Sequence, residues 1–153
     1  MNNKFKIIIN TELSRFVLLD RITKAEEGSI TGRKHFNDPF TPALAIECLA
    51  QLGAYHVRYL VRFERHAFLL KIKSCLLPGG LLPPGDYNLS GSLQSRSTSA
   101  FTHLLRAELA DKIIWEGIFL FALVDYDFSF KKEFLQEHYQ RIFSCLQSGT
   151  RIN

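Results

Sequence analysis

Apolar positions recur along this chain in two rhythms, and the switches between them lay out its elements. Residues 15–22 read as a strand, Ala25-Glu26-Glu27-Gly28 as a turn, and Ser29–Phe36 as a second strand. Residues 42–64 then read as a helix. Leu44, Ile46, Leu49, Ala50, Leu52, Ala54, Val57, Leu60 and Val61 leave it no polar stripe until Arg58. Pro42 suits its first turn and Thr41 is a fitting N-cap. Residues 66–77 are strand-like and end at Pro78-Gly79-Gly80, and Leu82-Pro83-Pro84-Gly85-Asp86 launches a strand over 87–97. Residues 100–109 and 113–125 are two more strands, joined by a tight turn at Ala110-Asp111-Lys112. A last amphipathic helix over 131–146 gathers Phe134, Leu135, Tyr139, Ile142 and Phe143 on one side. Strands, one long apolar helix and an antiparallel meander make an α+β class, with a curled sheet around the helix as the simplest way to bury both.

That helix carries one carboxylate, Glu47, in its second turn. A helix apolar all round is expected to be wrapped by other structure, and an acid buried there needs a reason. One reading is a structural carboxylate bonded to nearby backbone. The other is an acid whose desolvated surroundings hold its proton for chemistry.

Composition narrows the field. A chain of 153 residues is one domain's worth of core. Its longest apolar run, 113–124, is interrupted by Glu116 and falls short of a bilayer span, so no membrane insertion is expected. The opening residues 1–9 read as a strand and lack the apolar core and cleavage site of a signal peptide. Cys48, Cys75 and Cys145 are odd in number and have no metal spacing, which predicts reduced thiols, a cytoplasmic setting and no metal. The net charge of +4 is diffuse, and 13 phenylalanines against one tryptophan suit core packing better than base stacking. No nucleic-acid partner is expected. No phosphate-cradling glycine motif or nucleophile elbow is present, and no cofactor is implied.

Four stretches in order resemble the hot-dog-fold 3-hydroxyacyl-(acyl carrier protein) dehydratases of bacterial fatty-acid synthesis. Phe16-Val17-Leu18-Leu19-Asp20-Arg21-Ile22 is similar to that family's first strand, and Glu26-Glu27-Gly28 follows at the usual distance. Glu47-Cys48-Leu49-Ala50-Gln51 is similar to the E-A-x-A-Q word of its central helix, and Pro84-Gly85-Asp86 to the word that opens its later strands. The resemblance spans about residues 15–125. It implies a hot-dog domain over 1–128 with a helical extension over 129–153. It also implies dehydration of a 3-hydroxyacyl thioester to a trans-2-enoyl thioester, in fatty-acid or polyene-type biosynthesis. In that family a histidine before the central helix removes the C2 proton, and an acid on the neighbouring subunit's helix protonates the departing hydroxyl. Carried over, Glu47 is the acid and His35 the base. Gln51 becomes a packing or water-positioning neighbour, and Phe36 and Phe40 line the substrate tunnel.

Two registers are open for His35. In one, His35-Phe36-Asn37-Asp38-Pro39 is a shortened catalytic loop. In the other, Ser29–Phe36 is the whole second strand, Asn37-Asp38-Pro39-Phe40 matches the words before the loop, and the loop is deleted. The Glu26-Glu27-Gly28 anchor favours the second, and the family's Pro-Gly is absent in both. His56 stands nine residues beyond Glu47, too far along the helix to pair with it. His66 reads as a helix-end residue, and His103 and His138 as surface or core residues.

Arg58, Arg62 and Arg65 are spaced to line one face at the helix's C-terminal end. They complement the helix dipole or, with Lys71 and Lys73, form a dock for an acidic acyl carrier protein. Alternatives to the dehydratase are a catalytically degenerate subunit pairing with an active one, and an acyl-thioester hydrolase in which Glu47 activates water. The fold's open sheet edge predicts a homodimer, or a heterodimer with another hot-dog subunit.

Overall fold

The computed structural model describes residues 16–152. The strand expected over residues 1–9 lies outside them. Six strands form one antiparallel sheet: β1 (Arg21–Ala25), β2 (Ser29–Phe36), β3 (His66–Leu76), β4 (Gly85–Arg96), β5 (Ala100–Leu109) and β6 (Lys112–Val124). Their order across the sheet is β1-β2-β4-β5-β6-β3. The long helix α1 (Pro42–Leu60) runs across its inner side, and α2 (Lys132–Ser148) follows the last strand.

Local chemistry explains most boundaries. The Thr41 side chain caps α1 by accepting from the Leu44 N–H at 3.4 Å, and Pro42 opens the first turn. Ala110 and Asp111 take φ of 50° and 66°, the left-handed pair that joins two twisted strands with a tight turn. β6 alternates along its length, with Trp115, Phe119, Phe121 and Leu123 buried against the helix side. Trp115 also donates its indole N–H to the Ala45 carbonyl at 3.0 Å, tying sheet to helix. Gly53 lets α1 approach closely, since a Cβ there would stand 2.6 Å from Phe121 Cε2 and 3.0 Å from Leu105 Cδ1.

Three expectations need correction. The first strand begins at Arg21, and residues 16–18, also expected in it, run out over α1 instead of pairing with β2. The central helix stops at Leu60, not at 64. Arg62 and Phe63 take φ of 56° and 58°, which turns the chain so that Phe63 is buried against Phe143 of α2, ring centroids 5.4 Å apart. The Phe63 carbonyl accepts from Gln136 Nε2 at 3.0 Å and from the Tyr126 hydroxyl at 3.1 Å. Burial and these two bonds offset a strain of roughly 1–3 kcal/mol per left-handed residue. Finally, α1 is not enclosed all round: Ala43, Leu44 and Glu47 are exposed.

The terminal helix lies on α1 and on the first strand. Phe143 stacks on Tyr55 and Tyr59, with centroids 6.1 Å away in each case. Arg21 donates to the carbonyls of Leu146 and Gln147 at 3.1 and 2.9 Å, placing a cation at the negative end of α2. Ile142, Phe143 and Leu146 are buried, whereas Phe134 is half exposed. Among the described residues, no helix is long and apolar enough to cross a membrane.

Candidate functional site

One face of α1 presents Glu47, Gln51, Ala54, Tyr55 and Arg58, spaced at 4, 7, 8 and 11 residues from the first, which keeps them on one side. This stripe floors a groove of about 270 Å³, walled by the start of β3 (His66, Ala67, Phe68, Leu69), by Phe16 and Val17, and by His138, Tyr139 and Ile142 of α2. Glu47 is exposed and Arg58 is buried, so the groove runs from an open end to a closed one.

At the open end, Gln51 holds the site together. Its Oε1 accepts from the Leu18 N–H at 2.7 Å, and its Nε2 donates to the Phe16 carbonyl and, at 3.2 Å, to Glu47 Oε1. The same side chain therefore straps residues 16–18 over the helix and orients Glu47. The neighbouring Cys48 thiol donates to the Leu18 carbonyl at 3.2 Å, and burial pushes it up to about 12, away from any nucleophilic role.

At the closed end, the Arg58 guanidinium lies 3.7 Å from the Tyr139 ring centroid and 5.0 Å from that of Tyr55. Its Nη2 donates to the Ala67 carbonyl at 3.1 Å, while its Nε has no partner. The buried His66 ring stacks on Phe130 at 4.5 Å, and its Nδ1 is also unpartnered. Burial, and secondarily the Arg58 charge, lowers His66 below the usual imidazole range. His138 is lowered by burial first, then by Arg141 and Arg58.

The other expected residues lie elsewhere. His35 belongs to β2, which runs unbroken through Phe36, as in the register without a loop. It sits opposite Asp86 of β4, its Nδ1 2.6 Å from Asp86 Oδ1 and its Nε2 2.9 Å from Asn37 Oδ1. The Asp86 hydrogen bond raises its pKa, and both ring nitrogens are engaged. Within the protomer, His35 lines a separate depression with Asp20, Lys34 and Asp86. Phe36 and Phe40 do not line the groove. They stack on each other at 3.7 Å and edge onto Tyr87 in the core, because an aromatic cluster with Trp115 buries them better than a solvent channel would.

The basic face also divides. Arg58 is buried in the groove, and with the helix ended at Leu60, Arg62 and Arg65 no longer extend its spacing. Arg65 pairs with Asp125 at 3.0 Å and donates to the Thr98 carbonyl at 2.6 Å. Arg62, Lys71 and Lys73 are exposed. Among the described residues, no group of three or more His, Cys, Asp or Glu side chains is placed to hold a metal ion. The α1 stripe was readable from spacing. His66 joins it only through the placing of β3, and His138 and Tyr139 only once α2 has docked.

No family model matches this sequence, and no curated protein is significantly similar to it. Solved structures identify the architecture as the hot-dog fold. A conserved protein of Pseudomonas aeruginosa superposes with a TM-score of 0.62 at 12% identity, covering 73% of this chain and 93% of that one. A mutant thioesterase of the same organism gives 0.63 at 11% identity, with 74% and 86% covered. A thioesterase of Haemophilus influenzae gives 0.59 at 7% identity, with 68% and 77% covered.

Proposed function

We propose that this chain is an acyl-thioester hydrolase in which Glu47 activates the attacking water. The observation that carries the reading is the exposure of Glu47 on the open end of the groove, oriented by Gln51 one turn along. A carboxylate there has water at hand and takes a proton as that water adds to the thioester carbonyl carbon. The tetrahedral intermediate expels the thiolate, the C–S bond breaks, and Glu47 returns the proton to sulfur. A free acid and a thiol result. The α1 dipole favours the negative charge that develops on the carbonyl oxygen near the start of the helix. That two of the proteins sharing this fold are named thioesterases supports the reading.

Dehydration of a 3-hydroxyacyl thioester asks for something else: an acid kept protonated by dry surroundings, opposite a free imidazole. Glu47 is exposed in the protomer, and both His35 ring nitrogens are engaged. The hydrolase therefore has more support. Its substrate handle is coenzyme A or an acyl carrier protein, with Arg62, Lys71 and Lys73 available to an acidic partner. Pairing with a second copy, or with another hot-dog subunit, would cover one of the two sheet edges, β1 or β3.

The test is an assay of the protein purified alone with octanoyl-coenzyme A. Thiol and octanoate are expected in equal amounts, and Glu47→Gln should lower kcat by about 10²–10⁴-fold with Tm preserved. An enoyl product from a 3-hydroxyacyl thioester would restore the dehydratase. Turnover only in the presence of another hot-dog subunit would make this chain a supporting subunit.

A further inference from the structure

The groove owes its closed end to α2. That helix follows the last strand, and without it the floor laid by α1 and the wall laid by β3 would stand open on one side. It is pinned at both ends. Gln136 Nε2 donates to the Phe63 carbonyl at 3.0 Å near its start, and Arg21 donates to the Leu146 and Gln147 carbonyls at its finish. Between these points the Tyr139 ring lies across the Arg58 guanidinium, 3.7 Å away, and edge-on to Tyr55 at 6.1 Å. Ile142, three residues on, lines the same wall and is buried.

Space along the groove comes from small side chains. Ala50 and Ala54 on the floor and Ala67 on the β3 wall leave room that larger residues would fill. A slot of this kind takes a chain more readily than a ring. At about 30 Å³ for each water-sized group, 270 Å³ holds on the order of nine non-hydrogen atoms, the size of an octanoyl group. We propose that α2 is a length gauge for the acyl chain. Tyr139, with Ile142 beside it, stops an unbranched chain of about eight carbons laid over Ala54 and Ala50 from the Glu47 end. The thioester end of this assignment rests on the hydrolase reading; the chain pocket does not. Each methylene that reaches the groove should tighten binding by up to about four-fold, and one past the stop should add nothing.

The experiment is calorimetric titration of the full chain with S-butyl-, S-octyl- and S-dodecyl-coenzyme A, thioethers that bind without turnover, beside hydrolysis of the matching acyl thioesters. Affinity is expected to rise at least about 20-fold from butyl to octyl, and less than about two-fold from octyl to dodecyl. Tyr139→Leu keeps an apolar side chain but removes the ring, and should give dodecyl a gain of at least about ten-fold over octyl. A purely structural Tyr139 would instead weaken all three thioethers alike and keep the plateau. If that variant does not fold, Ala54→Leu probes the floor: filling the slot should leave octyl binding no better than butyl. A plateau at octyl that Tyr139→Leu lifts, with no thiol released from any acyl thioester, keeps the gauge and removes the hydrolase. A dodecyl gain as large as the octyl gain in the unaltered chain overturns the gauge, as does equal or absent binding of all three. So does a plateau that Tyr139→Leu and Ala54→Leu both leave in place, whether or not the protein hydrolyses thioesters.

Discussion

His56 Nδ1 and His103 Nε2 meet at 2.8 Å in the core, and this contact fixes the tautomer of both rings. His56 Nε2 is 2.7 Å from the Glu26 carbonyl, which can only accept, so that nitrogen carries the hydrogen. Neutral His56 then accepts at Nδ1, and His103 donates from Nε2. His103 Nδ1 is left as a bare acceptor without a partner, beside the edge-on ring of Phe121.

Acid should therefore destabilise this fold. Burial lowers His56, and burial followed by the neighbouring His56 lowers His103 to about 3, so both stay neutral in the folded chain. The unfolded chain takes up their protons below about pH 6.5. Stability is full above that value and falls as pH drops toward 3. At pH 4.5 His103 alone accounts for about 3 kcal/mol, or a Tm lower by about 5–10 °C than at pH 7. Thermal melts across this range check it, and the dependence should flatten in His103→Leu.

Gly53→Ala should destabilise, although alanine ordinarily favours a helix by about 1 kcal/mol. The added methyl enters space held by Phe121 and Leu105, so a net loss of about 1–3 kcal/mol is expected. Urea unfolding with an unchanged m-value would measure it.

Removing the strap at Gln51 should loosen a short segment without unfolding the domain. Gln51→Leu leaves the Leu18 N–H and the Phe16 carbonyl without this partner and frees Glu47 to rotate. Amide exchange at Leu18 should accelerate by at least ten-fold, with a stability cost of about 1–2 kcal/mol. Core amides such as that of Leu52 should exchange as before.

Trp115→Phe removes a hydrogen bond to the Ala45 carbonyl together with part of a fully buried ring system. A loss of about 2 kcal/mol is expected, read as a lower unfolding midpoint.

If the substrate handle is an acyl carrier protein, Arg62→Glu should weaken its binding more than ten-fold at low salt, about the value of one strong charge pair. Surface plasmon resonance at two ionic strengths tests this. Unchanged affinity would leave Arg62 as a turn residue only.

Most of the architecture was legible because its signals are local. Thr41-Pro42 starts a helix through the geometry of its own first turn, and Ala110-Asp111 turns between two strands through two left-handed residues. The alternation along β6 and the apolar density of α1 needed only a window of neighbours to be seen. The helix end was misjudged for the opposite reason. Nothing within residues 58–64 announces a stop, and the chain turns there because Phe63 finds Phe143 about eighty residues away.

The same division runs through the site. Sequence alone singled out Glu47 and Gln51, together with the helical spacing that puts them on one face. Only packing decided that Glu47 is exposed in the protomer, that Phe36 and Phe40 belong to the core, and that His35 is tied to Asp86. Packing also turned Arg58 from a surface cation into the buried end of a groove, by laying Tyr139 across it. Periodicity reports which face of an element a residue occupies, but exposure, partner and charge state depend on what that face meets. For these residues the partners stand on other strands and on a second helix far along the chain.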